Sequence, residues 1–594
     1  MSRQKCTKWL ALVLAVLMLV SLTACAGSAA SSQGTVSKTE STGSTSSEEE
    51  KLYYNKTGYP ICDTPLKLTA ATTNCSGSSK TYQLTDHADR ELIDQLQYYY
   101  DHLGLDLYVE LYLQDDWKNQ VSMMLTTDQL PDMVFGPGLS VSEVNNYGHD
   151  KYFADINSYS DLLPNFNAFC ELYPELKAYC QDENGAMYTV TRLNRKNYIY
   201  SGYRFFLNKS FMDNLNAEVP TTLDDFYKLL VRFRDEDANG NGNPSDEVPL
   251  SYAGYCRGYT DQLLLATFGI ASANTDIPMH IGSDGKVTVC DDNYKAYLEF
   301  LCKLYEEGLM DKNSFVLSDD EARAQVKDNL TGAYPAAAPF VTTGSGIETD
   351  KDVALGMVTL ASEYTNNKNT MVLSSPVTTN TKFVISEKSQ YKEACVRLLD
   401  YLYTEEGQIS TRAGVIGEQV EAYHDEHLDV DMVQMDNSKV PDGFASAEEW
   451  RNSKVLMNEV LYVSNAATPD SKYADYTDAI LAVAEKRADN MDNWAEVLNE
   501  RGWCALIAAN VADTNVEYID AYPTLAYSTD VVDKRTQLAS DVKLAITDAK
   551  ATAIIGGLAN FEANYNQLVK SVNDSGLEEL LKIEQDAYDA YSKK

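Results

Sequence analysis

Leu66-Lys67-Leu68-Thr69-Ala70 alternates large and small or polar residues and runs into the polar loop Thr72-Thr73-Asn74, the pattern of a short strand with a loop at its carboxyl end. Leu105 to Leu113 repeats the alternation with Tyr, Val and Leu, and Pro131-Asp132-Met133-Val134-Phe135-Gly136 is a third strand entering a Gly-Pro turn. Between the first two, Ala88–Leu103 sets Leu92, Ile93 and Leu96 on one face of a helix. Trp117–Leu125 is helical before the third strand. Strand–helix–strand–helix–strand predicts a largely parallel, open α/β sheet, because parallel neighbours need a crossover between them. Such sheets bind ligands at the carboxyl ends of their strands. Thr72, Asn74, Gly136 and Pro137 are therefore the first candidate ligand contacts.

Upstream, the chain opens with Arg3, Lys5 and Lys8, an apolar run from Trp9 to Val20, and Leu22-Thr23-Ala24-Cys25. This is the order of an export signal, too short in its apolar part to span a bilayer. Residues 26–50 are nearly all Ala, Ser, Gly, Thr and acidic groups, which predicts a flexible stalk. The formal net charge is −39, and it becomes more negative once the three cations of the signal leave. That sign repels phosphate backbones and argues against a nucleic-acid partner. Beyond Cys6 and Cys25, nine cysteines remain, and none stands in C-x-x-C spacing. Cys62–Cys75 and Cys170–Cys180 are near enough to pair, and buried free thiols are the equal alternative.

Further helical runs occur at Leu223–Arg234, Tyr294–Glu307, Gln390–Tyr403 and Asp475–Asp489, and from Lys534 to Tyr591 around Gly556-Gly557. His424-Asp425-Glu426-His427 is an acidic, exposed helical segment rather than a metal pair on this reading. No G-x-S-x-G, H-E-x-x-H or phosphate-binding Gly-rich loop is present, so nothing points to an enzyme.

Leu22-Thr23-Ala24-Cys25 resembles the lipobox of bacterial lipoproteins, which implies that Cys25 carries the lipid, palmitate among its acyl chains. Asn55-Lys56-Thr57-Gly58-Tyr59-Pro60, Leu130–Val134, Leu207-Asn208-Lys209 and Pro220–Phe226 add a second resemblance. With Leu304–Leu309 and Leu399–Gly407, their order is similar to that in extracellular solute-binding proteins of carbohydrate ABC importers, relatives of the alginate-binding proteins. The Gly-x-Glu-Gly turn of that family is rearranged here to Gly414-Val415-Ile416-Gly417-Glu418.

The resemblance implies an α/β, two-lobed type II periplasmic-binding-protein fold with hinge crossings and C-terminal helices. It implies a signal peptide over 1–24, a lipid-anchored linker over 25–50, and lobe one over 51–190 and 372–415. Lobe two then takes 191–371 and the helices of 416–594. The function implied is capture of an oligosaccharide for an ABC importer permease, by a monomer on the outer face of a Gram-positive cell membrane, held there by its lipid alone. A peptide or other organic solute is the alternative ligand. A secreted glycan-degrading enzyme and a surface sensor are the alternative functions.

Asp235-Glu236-Asp237-Ala238-Asn239-Gly240-Asn241-Gly242-Asn243-Pro244-Ser245-Asp246-Glu247 alternates oxygen-bearing side chains with small residues, as calcium loops do. Two frames fit. One starts at Asp235 with Asp246 in the twelfth place. The other uses Asp237, Asn239, Asn241, the Asn243 carbonyl, Asp246 and Glu247, and resembles the structural Ca2+ loop of the alginate-binding relatives. Sugar rings stack on aromatic rings, and the chain has 40 tyrosines. Tyr200, Tyr203 and Arg204 at the first hinge crossing are the main candidates for ligand contact, followed by Tyr252, Tyr255, Tyr334, Trp494 and Trp503 on lobe two.

Overall fold

The computed structural model describes residues 52–73, 87–113, 116–182, 184–193, 204–272, 274–336, 339–343, 350–357, 360–373, 377–425, 430–444, 447–455, 468, 471–473, 516–525, 527 and 529–592. Cys25, the stalk, Asn74, Cys75, Tyr200, Tyr203, His427, the predicted helix Asp475–Asp489, Trp494 and Trp503 lie outside the described residues.

Strands are β1 (Leu66–Thr73), β2 (His87–Ala88), β3 (Leu105–Tyr112), β4 (Met133–Phe135), β5 (Val190–Leu193), β6 (Arg204–Asn208) and β7 (Val248–Leu250). Then come β8 (Thr331–Ala336), β9 (Ala354–Met357), β10 (Asn369–Leu373), β11 (Val377–Ile385), β12 (Val420–Asp425), β13 (Val430–Met435) and β14 (Val516–Asp520). Helices used below are α1 (Asp94–Tyr98), α2 (Trp117–Thr127), α3 (Val141–His149), α4 (Pro164–Leu172) and α5 (Pro174–Cys180). They continue with α6 (Leu223–Asp235), α7 (Tyr255–Thr267), α8 (Asp292–Glu306), α9 (Lys392–Tyr401), α10 (Thr529–Ile555), α11 (Phe561–Asp574) and α12 (Leu577–Tyr591).

Six strands form the first sheet in the order β2-β3-β1-β4-β11-β5. β1 pairs in parallel with β3 (Leu66 opposite Leu105) and with β4 (Ala70 opposite Met133), as the alternation predicts. β11 returns antiparallel to β4, with Phe383 opposite Phe135. Successive side chains go to opposite faces. Ala70, Met133, Phe135, Phe383 and Ile385 face one core with α4, α5 and α9. Ala71, Val134 and Val384 face the other, with α2 and α3.

Four strands form the second sheet, β9-β6-β8-β7. Its core joins Phe205, Leu207, Leu250 and Ala333 to α6, α7, α8 and all three C-terminal helices through Val542, Ile546, Phe561, Leu568 and Leu580. Burying a side chain of this size stabilises by about 1.5–3 kcal/mol, so each lobe has its own core. The chain crosses between them from β5 to β6, from β9 through β10 to β11, and from β14, which pairs in parallel with β10, into α10.

Several expectations change. The predicted helix from Ala88 begins only at Asp94, and Tyr99–Leu103 is a widened π turn that stops at Gly104 (φ 66). A Cβ at Gly104 would sit 2.0 Å from the Cys62 carbonyl oxygen, so only glycine fits there. His424 lies on a hairpin strand rather than a helix, 2.9 Å from Asp431 Oδ1. Residues 416–455, assigned from the sequence to lobe two, are tied to lobe one: Gln419 donates to Asp94 Oδ2 at 2.9 Å, and Lys454 to the Leu92 carbonyl at 3.2 Å. Cys170 and Cys180 are both free, as are Cys62, Cys256, Cys290, Cys302 and Cys395. Among the described residues no helix is long and apolar enough to cross a membrane.

The N-terminal strap is locked to α9. Arg397, 1 % exposed, donates to the Gly58 carbonyl at 2.7 Å and to Asp400 at 3.1 Å. Asp400 in turn accepts the backbone N–H groups of Asn165 and Phe166 at the start of α4.

Candidate functional site

The carboxyl edge of the first sheet holds the predicted Gly-Pro loop. Gly136 (φ 54) and Gly138 (φ 70) flank Pro137 in left-handed backbone, which would cost a side-chain-bearing residue about 1–2 kcal/mol. The Gly136 N–H donates to the Lys382 carbonyl at 2.8 Å, and its own carbonyl accepts the indole N–H of Trp117 at 2.5 Å. Trp117 is 4 % exposed and lies 5.6 Å from Tyr112, centroid to centroid. The loop is thus held from two sides. Thr72 is fully buried, its hydroxyl donating to the Phe135 carbonyl at 3.0 Å. It staples β1 to β4 and offers no group to a ligand, which corrects its sequence assignment.

On the second lobe, Arg204 opens β6 opposite Ala336, and Tyr255 opens α7, both at the carboxyl edge. Tyr252 is instead inside the core. Its hydroxyl donates to Asp261 Oδ1 at 2.5 Å, and Asp261 also binds the Tyr297 hydroxyl and Lys550. Burial, then the Asp261 charge, pushes the Tyr252 and Tyr297 hydroxyls well above the usual tyrosine range, so both stay protonated donors. Tyr334 is likewise enclosed, 1 % exposed beside Phe206. Neither tyrosine reaches a ligand in this arrangement.

A cavity of about 800 Å³ lies elsewhere between the lobes. One wall is α3 along its length, from Val141 to His149, with Ala178 to Asp182 at the end of α5. The other is Ser272 to Met279, Tyr522 to Tyr527 and the α10 stripe Val532, Arg535, Thr536, Ala539, Ser540 and Lys543. α3 and α5 cover opposite faces of the first sheet, so the cavity runs beside its edge strand β5, not across the strand ends. Thr72, Gly136 and Pro137 do not line it.

The Asn-Gly loop joins α6 to β7. Asp237 accepts the N–H groups of Asn241 and Gly242 at 3.1 and 2.9 Å, and Asp246 accepts the amides of Asn239 and Asn241 at 3.2 and 2.8 Å. Asn241 Oδ1 accepts the Asn243 N–H at 2.8 Å, and Gly240 (φ 73) and Gly242 (φ 88) make the wrap. Glu247 Oε1 accepts the Ala238 N–H, and its Oε2 is buried with no hydrogen-bond partner among the described residues. The two frames differ in their use of Asp235. Asp235 is held in a fork by Arg234 at 2.6 and 2.8 Å, which keeps its carboxyl below the usual range. Asp237, Asn239, Asn241, the Asn243 carbonyl, Asp246 and Glu247 remain as a hard-oxygen donor set that fits a calcium ion. Among the described residues no three His, Cys, Asp or Glu side chains converge as a metal site. Asp237, Asp246 and Glu247 therefore do not converge on one point here, and a bound ion would draw them together.

No family model matches the chain. The fructooligosaccharide ABC transporter substrate-binding protein FusA of Streptococcus pneumoniae is 23 % identical over 487 residues, 80 % of this chain and 83 % of that one. Lipoprotein LipO of Bacillus subtilis is 25 % identical over 395 residues, 63 % of this chain and 66 % of that one. Among solved structures, an S. pneumoniae FusA EF-hand mutant in complex with fructo-nystose matches with a TM-score of 0.66 at 20 % identity, over 89 % of this chain and 100 % of that one. The chain has the fold of the ABC-transporter substrate-binding proteins. The Gly136–Gly138 loop and the start of β6 lie at the strand ends of the first and second sheets. The sequence reading missed the cavity residues Asn145, His149, Tyr527 and Arg535. The spacing of the α10 stripe, one helical face, was the signal available for Arg535.

Proposed function

We propose that this protein captures a neutral oligosaccharide between its two lobes and delivers it to the permease of an ABC importer. The observation that carries this is the triple crossing between two α/β lobes with separate cores. Two bodies with separate cores joined by such crossings can hinge, and a ligand that contacts both favours the closed state. FusA, named for fructooligosaccharide, supports the ligand class by matching most of both chains. The strongly negative net charge supports a neutral rather than an anionic sugar. The protein binds without turnover and acts as a monomer.

Lobe one is 51–190 with 372–415, extended by 416–455, and lobe two is 191–371 with the C-terminal helices. Cys25 carries the lipid that holds the protein at the outer face of the cell membrane, and residues 26–50 are its tether. Asp237, Asn239, Asn241, the Asn243 carbonyl, Asp246 and Glu247 hold Ca2+, supported by the EF-hand of the FusA relative. The ion supplies positive charge that fixes the α6–β7 connection, and takes no part in ligand binding. Asn74, Gly136, Pro137, Tyr200, Tyr203 and Arg204 contact the sugar, with Tyr255, Trp494 and Trp503 on the second lobe.

A thermal-unfolding screen over fructooligosaccharides, other neutral oligosaccharides and peptides tests the reading. A sugar at 100 times its Kd should stabilise by about 2.7 kcal/mol. Stabilisation by peptides alone, or consumption of the sugar, would overturn it.

A further inference from the structure

The cavity beside β5 is as large as a ligand site, yet the described strand-end residues Thr72, Gly136 and Pro137 do not line it. Among the described residues its basic groups each have an acidic partner. Arg535 donates through Nε to Glu584 at 2.8 Å, the His149 ring lies 2.7 Å from Asp182, and Lys543 lies 2.6 Å from Asp276. An anionic ligand would therefore meet a wall already neutralised and would lose its hydration for little Coulombic return. What the wall offers instead is neutral hydrogen-bonding capacity and aromatic faces. Asn145, 8 % exposed, lines the first wall as a neutral amide. Ser142 and Ser540 add hydroxyls from opposite walls. The second wall is also preorganised: fully buried Glu584 accepts the hydroxyls of Tyr522 and Tyr527 at 2.9 and 2.7 Å as well as Arg535, whose guanidinium lies 4.8 Å from the Tyr527 ring centre.

We propose that this cavity is a second binding site, for a short neutral polyhydroxylated compound, formed by both lobes and separate from the strand-end cleft. It rests on the preceding reading only in taking the cleft as the first site. A ligand here touches α3 and α10 at once, so its occupancy is coupled to the relative position of the lobes.

Calorimetric titration of the chain from residue 26 onward with fructo-nystose tests it, in wild type, Ser540→Trp and Ser142→Trp. The two substitutions fill the cavity from opposite walls, and circular dichroism establishes that each variant is folded. Two sites in wild type, with one lost in either folded variant and the other kept within threefold in affinity, is the expected result. A single site unchanged in both variants would overturn the second site and leave the capture function standing. No heat in any of the three proteins would overturn both for this sugar. Trigalacturonate, similar in size but anionic, should bind the cavity at least tenfold more weakly, and equal binding would overturn the assignment to neutral ligands.

Discussion

Glu247 closes the loop between α6 and β7 on Ala238: Oε1 accepts the Ala238 N–H at 3.1 Å, while Oε2 is buried with no partner among the described residues. A buried acceptor left unmade costs about 1–3 kcal/mol, more when charged. In the proposed calcium-bound form, a cation bound by Glu247 Oε2 removes that penalty. Chelation should therefore lower the melting temperature, and excess Ca2+ should restore it. Glu247→Gln or Asp237→Ala should abolish the response. A melting curve indifferent to chelator in the wild type would contradict the calcium assignment.

Lys550 on α10 reaches Asp261 on α7 inside the second core, their side chains 10 % and 5 % exposed. Removing one member of a buried pair strands the other and costs about 3–5 kcal/mol. Lys550→Met should lose about that much in urea unfolding. Lys550→Met with Asp261→Leu should lose clearly less than Lys550→Met alone. Equal losses in the single and double variants would show that the pair does not hold α10 in place.

Asp291 caps α8 by accepting the Tyr294 N–H at 3.0 Å, and His280 Nε2 lies 2.9 Å from its other oxygen. Burial pushes this carboxyl up, but His280 and the backbone N–H groups of Tyr294 and Asn293 outweigh it and hold the pKa below the usual range. With the folded pKa below an unfolded value of about 3.9, the stabilisation is complete above that pH and is lost as pH falls through the folded pKa. Asp291→Asn should cost roughly 1.5 kcal/mol at pH 7. The difference should shrink below about pH 4. A difference that stays constant down to pH 2 would contradict the linkage.

Cys25→Ser should release the protein from the membrane fraction into the medium with its fold unchanged, because the proposed anchor rests on the one cysteine that follows Leu22-Thr23-Ala24. Metabolic labelling with palmitate followed by fractionation checks it. A labelled, membrane-held variant would contradict the anchor.

The parallel core of the first sheet was legible because Ala70 against Ala71, and Val134 between Met133 and Phe135, carry the two-residue period that separates its faces. The hairpin Val420–Asp425 with Val430–Met435 carries the same period, but its acidic residues suited an exposed helix equally well. The Asn-Gly loop was legible in composition and ambiguous in frame: alternating oxygens over thirteen residues fit two starts, and the pairing of Asp235 with Arg234, a contact between neighbours, favours the second. Tyr252 was misplaced for a different reason. An aromatic at a strand end suits a cleft or a core equally, and the partner that buries it, Asp261 with Lys550, depends on a helix almost 300 residues later. The cavity beside β5 was invisible for the same cause, since Glu584 and Arg535 meet only when α12 folds back on α10.

The central claim is that the two lobes close on a sugar. Small-angle scattering with and without saturating fructooligosaccharide, run beside calorimetric titration, tests it most directly. Wild type should compact on binding, and Trp117→Phe, which frees the Gly136 carbonyl and loosens the cleft loop, should weaken binding about two- to tenfold, in keeping with about 0.5–1.5 kcal/mol for one hydrogen bond. Saturation without any change in radius of gyration would contradict the account.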